Sequence, residues 1–198
     1  MVKKNSLYNS LAGKFLIASP NMTDPRFSEC LIYMVSDNEE GSMGIIVNKP
    51  ALNLSIDSIF EEITKKNTSN KNEDPIIYYG GPVDLDKGFI IHSNDYISND
   101  ECTKLKNNLV LSNNIKILKD IASGKGPSKS VLAIGYAGWY SYQLSEELKN
   151  NTWIEAELDI EIIFSKKTSQ KWQKALSSVG IKKNNLNNSN FSSFSGSA

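Results

Sequence analysis

One histidine, His92, closes the apolar run Gly88-Phe89-Ile90-Ile91. It is the only imidazole, so general acid or base work near neutral pH would fall to it. A Ser-His-Asp arrangement would join His92 to a serine such as Ser19 and an acid such as Asp24. The amides of Gly80-Gly81 or of Gly138 would then stabilise an oxyanion. No Gly-x-Ser-x-Gly elbow accompanies these residues. The adopted expectation is therefore a strand-end histidine bonded to backbone or water.

Glycines mark two further places where a ligand could approach backbone. Gly80-Gly81-Pro82 imposes a tight course on the chain, and Gly135-Tyr136-Ala137-Gly138-Trp139 sets two glycines among aromatics. The second reads as a strand ending in a turn around Trp139, followed at once by a helix on which Gln143 and Glu147 share a face. The two glycine segments are expected to be neighbours around one concavity. Asn48, after the run Ile45-Ile46-Val47, joins them as a candidate contact.

Other chemistries find less support. Gly124-Lys125-Gly126-Pro127-Ser128-Lys129-Ser130 looks like a phosphate loop, but a helix precedes it and a strand follows, the reverse of the order an anion site needs. One histidine and two distant cysteines, Cys30 and Cys102, give no zinc spacing. Asp84 and Asp86 could hold a hard cation only weakly. No metal and no cofactor is expected, and Cys30, inside an apolar run, reads as a core residue.

The elements that must position these residues alternate. Lys14 to Ser19, Cys30 to Val35 and Ile45 to Val47 read as strands, with Asp37 to Gly44 as the turn between the last two. Ser55 can cap a helix whose Ile56, Ile59, Phe60 and Ile63 share one face, and the Asn-rich stretch from Lys65 to Asp74 reads as a loop. Ile76 to Tyr79, Gly88 to Ile91, Val131 to Ile134 and Trp153-Ile154 continue the strands. Helices are expected over Ile115 to Ser123, capped by Asn113 or Asn114, over Gln143 to Asn150, and over Thr168 to Ser178, stopped at Gly180. An opening hairpin followed by interleaved helices predicts an α+β fold, a mixed α/β arrangement with a sheet curled toward a partial barrel.

The chain has 198 residues, 39% of them hydrophobic, and its 22 basic and 22 acidic side chains cancel. One domain over residues 1–181 is expected, with 182–198 as a flexible, Asn- and Ser-rich tail. Zero net charge, with Arg26 as the only arginine, gives no nucleic-acid signal. No apolar run approaches a membrane span or a secretory signal, and a cytoplasmic protein is expected.

Several segments together carry a resemblance. Ala18-Ser19-Pro20-Asn21-Met22-Thr23-Asp24-Pro25-Arg26-Phe27, Gly41-Ser42-Met43-Gly44 through Asn48-Lys49-Pro50, Gly80-Gly81-Pro82-Val83, Gly88 to His92, and Gly135 to Trp139 with Gln143-Leu144, Glu147-Leu148 and Trp153 resemble, in order, the motifs of the bacterial YqgE/AlgH family. The resemblance spans essentially the whole chain. It implies a branched, partly barrel-like mixed sheet surrounded by helices in a small cytosolic protein without an assigned reaction. One branch of the family is described as a transcriptional regulator. Tyr142 and Ser145 depart from the family pattern of Gly before the Gln-Leu pair and Glu after it, and Lys49 stands where many relatives have Arg.

Two functional expectations follow. The first is a non-catalytic binding or regulatory module for an unidentified small molecule or protein, with Asp24, Asn48, Gly80, Gly81, His92, Gly138, Trp139, Gln143 and Glu147 as candidate contacts. The second is a hydrolase or other enzyme with His92 as base, which requires His92, Asp24 and a hydroxyl to converge in one cleft. The first is preferred because no complete catalytic set can be assembled.

Overall fold

The structure, a computed structural model, describes residues 9–53, 76–96 and 102–181. The helix expected from Ser55, the loop from Lys65 to Asp74 and the tail from Lys182 lie outside the described residues.

Strand β1 (Phe15–Ala18) pairs with β2 (Leu31–Asn38), which turns through Glu39 and Glu40 into β3 (Gly41–Ile46). The turn is therefore shorter than the expected Asp37 to Gly44. Asn38 closes it, its Oδ1 accepting from the Glu40 amide at 2.8 Å, so the flanking residues are free to pair. Then come β4 (Ile77–Tyr79), β5 (Val83–Ser93), β6 (Thr103–Lys104), β7 (Leu109–Ser112), α1 (Ile115–Ala122), β8 (Ser130–Tyr140), α2 (Gln143–Lys149), β9 (Trp153–Ala156), α3 (Ile160–Phe164) and α4 (Thr168–Ser178). Asn114 caps α1 by accepting from the Lys116 amide.

The strands form one nine-stranded sheet in the order β6-β7-β5-β8-β3-β2-β1-β9, with β4 pairing β8 off this path. Every pairing is antiparallel except that of β4 with β8, so the sheet is mixed and branches at β8. It also curls. Asn107, in the β6–β7 turn at one end of the order, donates from Nδ2 to the Gly13 carbonyl just before β1, at 2.9 Å. The result is a half-barrel, as the sequence led one to expect.

Alternation divides the apolar residues between two faces. Phe15, Ile17, Leu31, Tyr33, Ile45 and Val131 point into the curl, where α3 and α4 bring Ile163, Trp172, Ala175 and Leu176 against them. Leu16, Ile32, Met34 and Ile46 face outward beneath α2 and the Trp139 and Trp153 rings. In a third group, Ile90 and Leu132 of the sheet pack against Ile117 of α1.

Strand β8 does not end at Gly135, and the segment to Trp139 is not a turn. Val131 and Ala133 face inward, yet Ala137 and Trp139, of the same parity, face outward. Gly135, at φ 70°, is the residue that changes face, in a conformation glycine adopts without strain. At the same point the neighbouring chain crosses over. Because β4 lies on one side of Leu132–Ile134 and β5 on the other, Gly80-Gly81-Pro82 must pass across β8. Gly81, at φ 151°, lies so close that a Cβ would meet the Tyr136 carbonyl carbon at 2.1 Å. The two glycine segments are thus neighbours, joined backbone to backbone rather than arranged around a hollow.

Candidate functional site

His92 lies in β5 and is 1% exposed. Its Nδ1 is 2.8 Å from the Ser93 carbonyl, which can only accept, so Nδ1 carries the proton. The other nitrogen, Nε2, then accepts from the Ser112 hydroxyl of β7 at 3.0 Å. Burial holds the imidazole below its ordinary range, outweighing the Ser93 bond and Asp95, which favour the charged form. The hydroxyl beside it belongs to a serine itself 4% exposed, so both partners are buried.

Asp24 and Ser19 lie elsewhere, in the loop between β1 and β2. Asp24 accepts from the Arg26 amide at 2.9 Å and, through Oδ2, from Nη2 at 2.6 Å. Those bonds hold its carboxyl below the usual range. The Ser19 hydroxyl accepts from the Asn21 amide. Neither residue bonds His92, whose ring nitrogens are taken by Ser93 and Ser112. His92, Asp24 and Ser19 do not form a triad.

Asn48 braces the end of the same loop, accepting from the Leu31 amide and donating to the Glu29 carbonyl, both at 2.8 Å. Between those residues sits Cys30, whose thiol burial pushes up to about 11, far from a reactive thiolate.

Three expected residues do meet. Trp139 and Trp153 both donate their indole N–H to Glu147 Oε2, at 2.9 and 2.7 Å, while Gln143 Nε2 reaches Oε1 at 2.8 Å. The i, i+4 spacing on α2 sets Gln143 beside Glu147. The indoles meet edge to face at 5.8 Å, and Phe27 meets Trp153 at 5.6 Å, linking the Asp24–Arg26 loop to this cluster. Gly138, exposed on β8, lies next to Trp139. The arrangement fastens α2 to the sheet and leaves Gln143, Gly138 and the Asp24–Arg26 pair at the surface.

One group escaped the sequence reading. Lys171 on α4 is 1% exposed, and its ammonium donates to the carbonyls of Val47 (2.8 Å) and Ile163 (2.7 Å) and to the Tyr78 hydroxyl (3.0 Å). Burial lowers it to about 7. Its position beside Trp172, on the face that also carries Ala175 and Leu176, was the available signal.

Among the described residues no group of three or more His, Cys, Asp or Glu could hold a metal, and Asp84 is paired with Lys87. An open groove of about 650 Å³ between α3 and α4, bordered by Glu161, Gln170 and Lys174, is lined by none of the candidate residues. No described helix is long and apolar enough to cross a membrane.

A curled, branched sheet with glycine crossings at β8 and a carboxylate bridging two indoles defines a class of small α/β protein. The chain belongs to the family described as AlgH-like, DUF179, whose profile matches residues 15–184. It is 39% identical over 171 residues to a UPF0301 protein of Ruegeria pomeroyi, spanning 86% of this chain and 92% of that one. It is also 39% identical over 178 residues to a UPF0301 protein of Rickettsia canadensis, covering 89% and 93%. The solution structure of the AlgH protein from Pseudomonas aeruginosa superposes with a TM-score of 0.75 at 32% identity, over 96% of this chain and 100% of that one. A protein from Corynebacterium diphtheriae shares the fold, with TM-score 0.66 at 21% identity over 84% and 86% of the two chains.

Proposed function

We propose that this chain is a non-catalytic binding module of the bacterial cytosol, carried by residues 1–181, that acts by presenting surface contacts to a partner or small ligand. The observation that supports this is the state of His92: both ring nitrogens are committed to Ser93 and Ser112, and the ring is 1% exposed. General base catalysis needs a nitrogen that can reach a substrate proton. Of the candidate contacts, Asp24 with Arg26, and Gly138 with Gln143, remain at the surface. Asn48, Gly80, Gly81, Trp139 and Glu147 hold the frame on which those surface groups sit. A regulatory role fits such a module through protein contacts rather than DNA, because the net charge is zero.

The test is a thermal-shift screen against cellular metabolites, with product formation followed in parallel, on the native chain and on His92→Gln. A binding module shows a ligand that raises Tm without being consumed, and His92→Gln retains the shift. Turnover that disappears in His92→Gln would reverse the reading.

A further inference from the structure

The second half of β8 has a strand on one side only. Over Leu132 to Ile134 it lies between β4 and β5, whereas Ala137 to Tyr140 pairs with β3 and, among the described residues, with no strand opposite. The Tyr140 amide shows which groups line this edge. It donates to Gln143 Oε1 at 3.1 Å instead of to β3, so Tyr140 directs its backbone groups away from β3. Tyr136, four residues earlier, faces Val83 in that same direction. Backbone direction alternates along an antiparallel strand, so Gly138, between them, turns both its N–H and its C=O outward, and Tyr140 turns its C=O.

The surroundings suit an extended chain. Gly138 has no side chain, and the place its Cβ would occupy is lined by the Tyr136 ring at 3.3 Å and by Val83 at 3.9 Å. Tyr140 and Tyr142 stand 87% and 73% exposed. Tyr142 does so at φ 65°, a left-handed conformation that costs a bulky residue about 1 kcal/mol. The charge nearby is negative. Glu40 is exposed at the hairpin tip, which is tied to this end of β8 by the Ser141 hydroxyl on the Glu39 backbone carbonyl at 2.6 Å. Asp86 is exposed in the bulge of β5, where Lys87 is already paired with Asp84. A second copy laid on this edge would bring these carboxylates against their equals, which disfavours self-pairing.

We infer that the Gly138–Tyr140 edge of β8 docks an extended, lysine- or arginine-bearing segment of a partner protein, added as a strand in the line that β5 leaves open. The segment would bond to the Gly138 N–H and C=O and to the Tyr140 C=O, and set its cations over the tyrosine rings and beside Glu40 and Asp86. This rests on the binding-module reading and names its partner class.

The experiment titrates the full-length, 15N-labelled chain with the capped peptide Lys-Val-Lys-Val-Lys-Val-Lys. The same sequence N-methylated at alternate residues, and one with Glu for Lys, serve as controls. Saturable amide shifts centred on Gly138 and Tyr140 are expected. Binding should weaken about tenfold on N-methylation and about fivefold in Tyr140→Ala, whose exposed ring leaves folding intact. No saturable shift, shifts centred elsewhere, equal binding of the N-methylated peptide, or a dimer through this edge in sedimentation would each overturn the inference. Such a failure beside a metabolite-induced rise in Tm removes the edge and leaves the binding-module reading intact. Turnover lost in His92→Gln removes that reading instead.

Discussion

Lys171 shows how far a single residue can depart from its usual place. A lysine is seldom enclosed unless its charge is answered, and here the partners are two carbonyls, a phenol oxygen and the Tyr78 ring 4.6 Å away, with no carboxylate among them. Substituting Lys171→Met should cost about 2–4 kcal/mol in urea unfolding, because the Val47 and Ile163 carbonyls lose their donor inside the core. The pH dependence has a definite sign. The folded value, about 7, lies below the ordinary 10.5, so the fold prefers the neutral amine and unfolding takes up a proton between those limits. Stability contributed by this group should therefore rise as pH rises from about 7 to 10.5. Lys171→Met should flatten that rise relative to the native chain, measured as the difference between the two unfolding free energies across the range.

At the scale of elements, α2 is held by one carboxylate. It has seven residues, too few to persist alone, and its first residue follows a left-handed Tyr142 that provides no side-chain cap. Glu147→Ala should cost about 2–3 kcal/mol by leaving two indole N–H groups without their acceptor. It should also move the tryptophan emission to longer wavelength as water reaches Trp139 and Trp153. Gly135→Ala should cost at least about 3 kcal/mol or prevent folding, since a Cβ there would meet the Gly81 carbonyl oxygen at 2.5 Å in a backbone conformation that alanine disfavours. Circular dichroism through a denaturant series measures it.

These two elements also show what was legible. The amphipathic helix Thr168 to Ser178 emerged in the structure as read, and of the two caps left open for α1, Asn113 or Asn114, the structure uses Asn114; both depend on local sequence. The Gln143–Glu147 pairing beside Trp139 was legible for the same reason. Strand β8 was cut short because its glycines look like a turn until β4 and β5 are known to lie on either side of it. Strands β6 and β7 and the five-residue α3 went unread; the pairing of Thr103 with Leu111 and the packing of Ile163 decide them, and neither is local. Asn48 and His92 were picked out by type, but only the fold reveals that their polar atoms are spent on Leu31, Glu29, Ser93 and Ser112.

At the scale of the whole molecule, both faces of the sheet are covered by apolar clusters among the described residues, and the histidine, two indoles and the enclosed lysine are each hydrogen-bonded within the fold. Its field is weak, since 22 basic and 22 acidic side chains balance. A mobility-shift titration at physiological salt should accordingly show DNA binding no tighter than about micromolar; sequence-selective binding below that would make the protein a direct DNA regulator. What most directly separates a binding module from an enzyme is the protonation of its only imidazole. An NMR titration of the His92 ring should show the neutral, Nδ1-protonated form persisting to pH values below its ordinary 6.5, with a ring proton slow to exchange. A ring that protonates at or above 6.5 and exchanges freely with water would contradict the account.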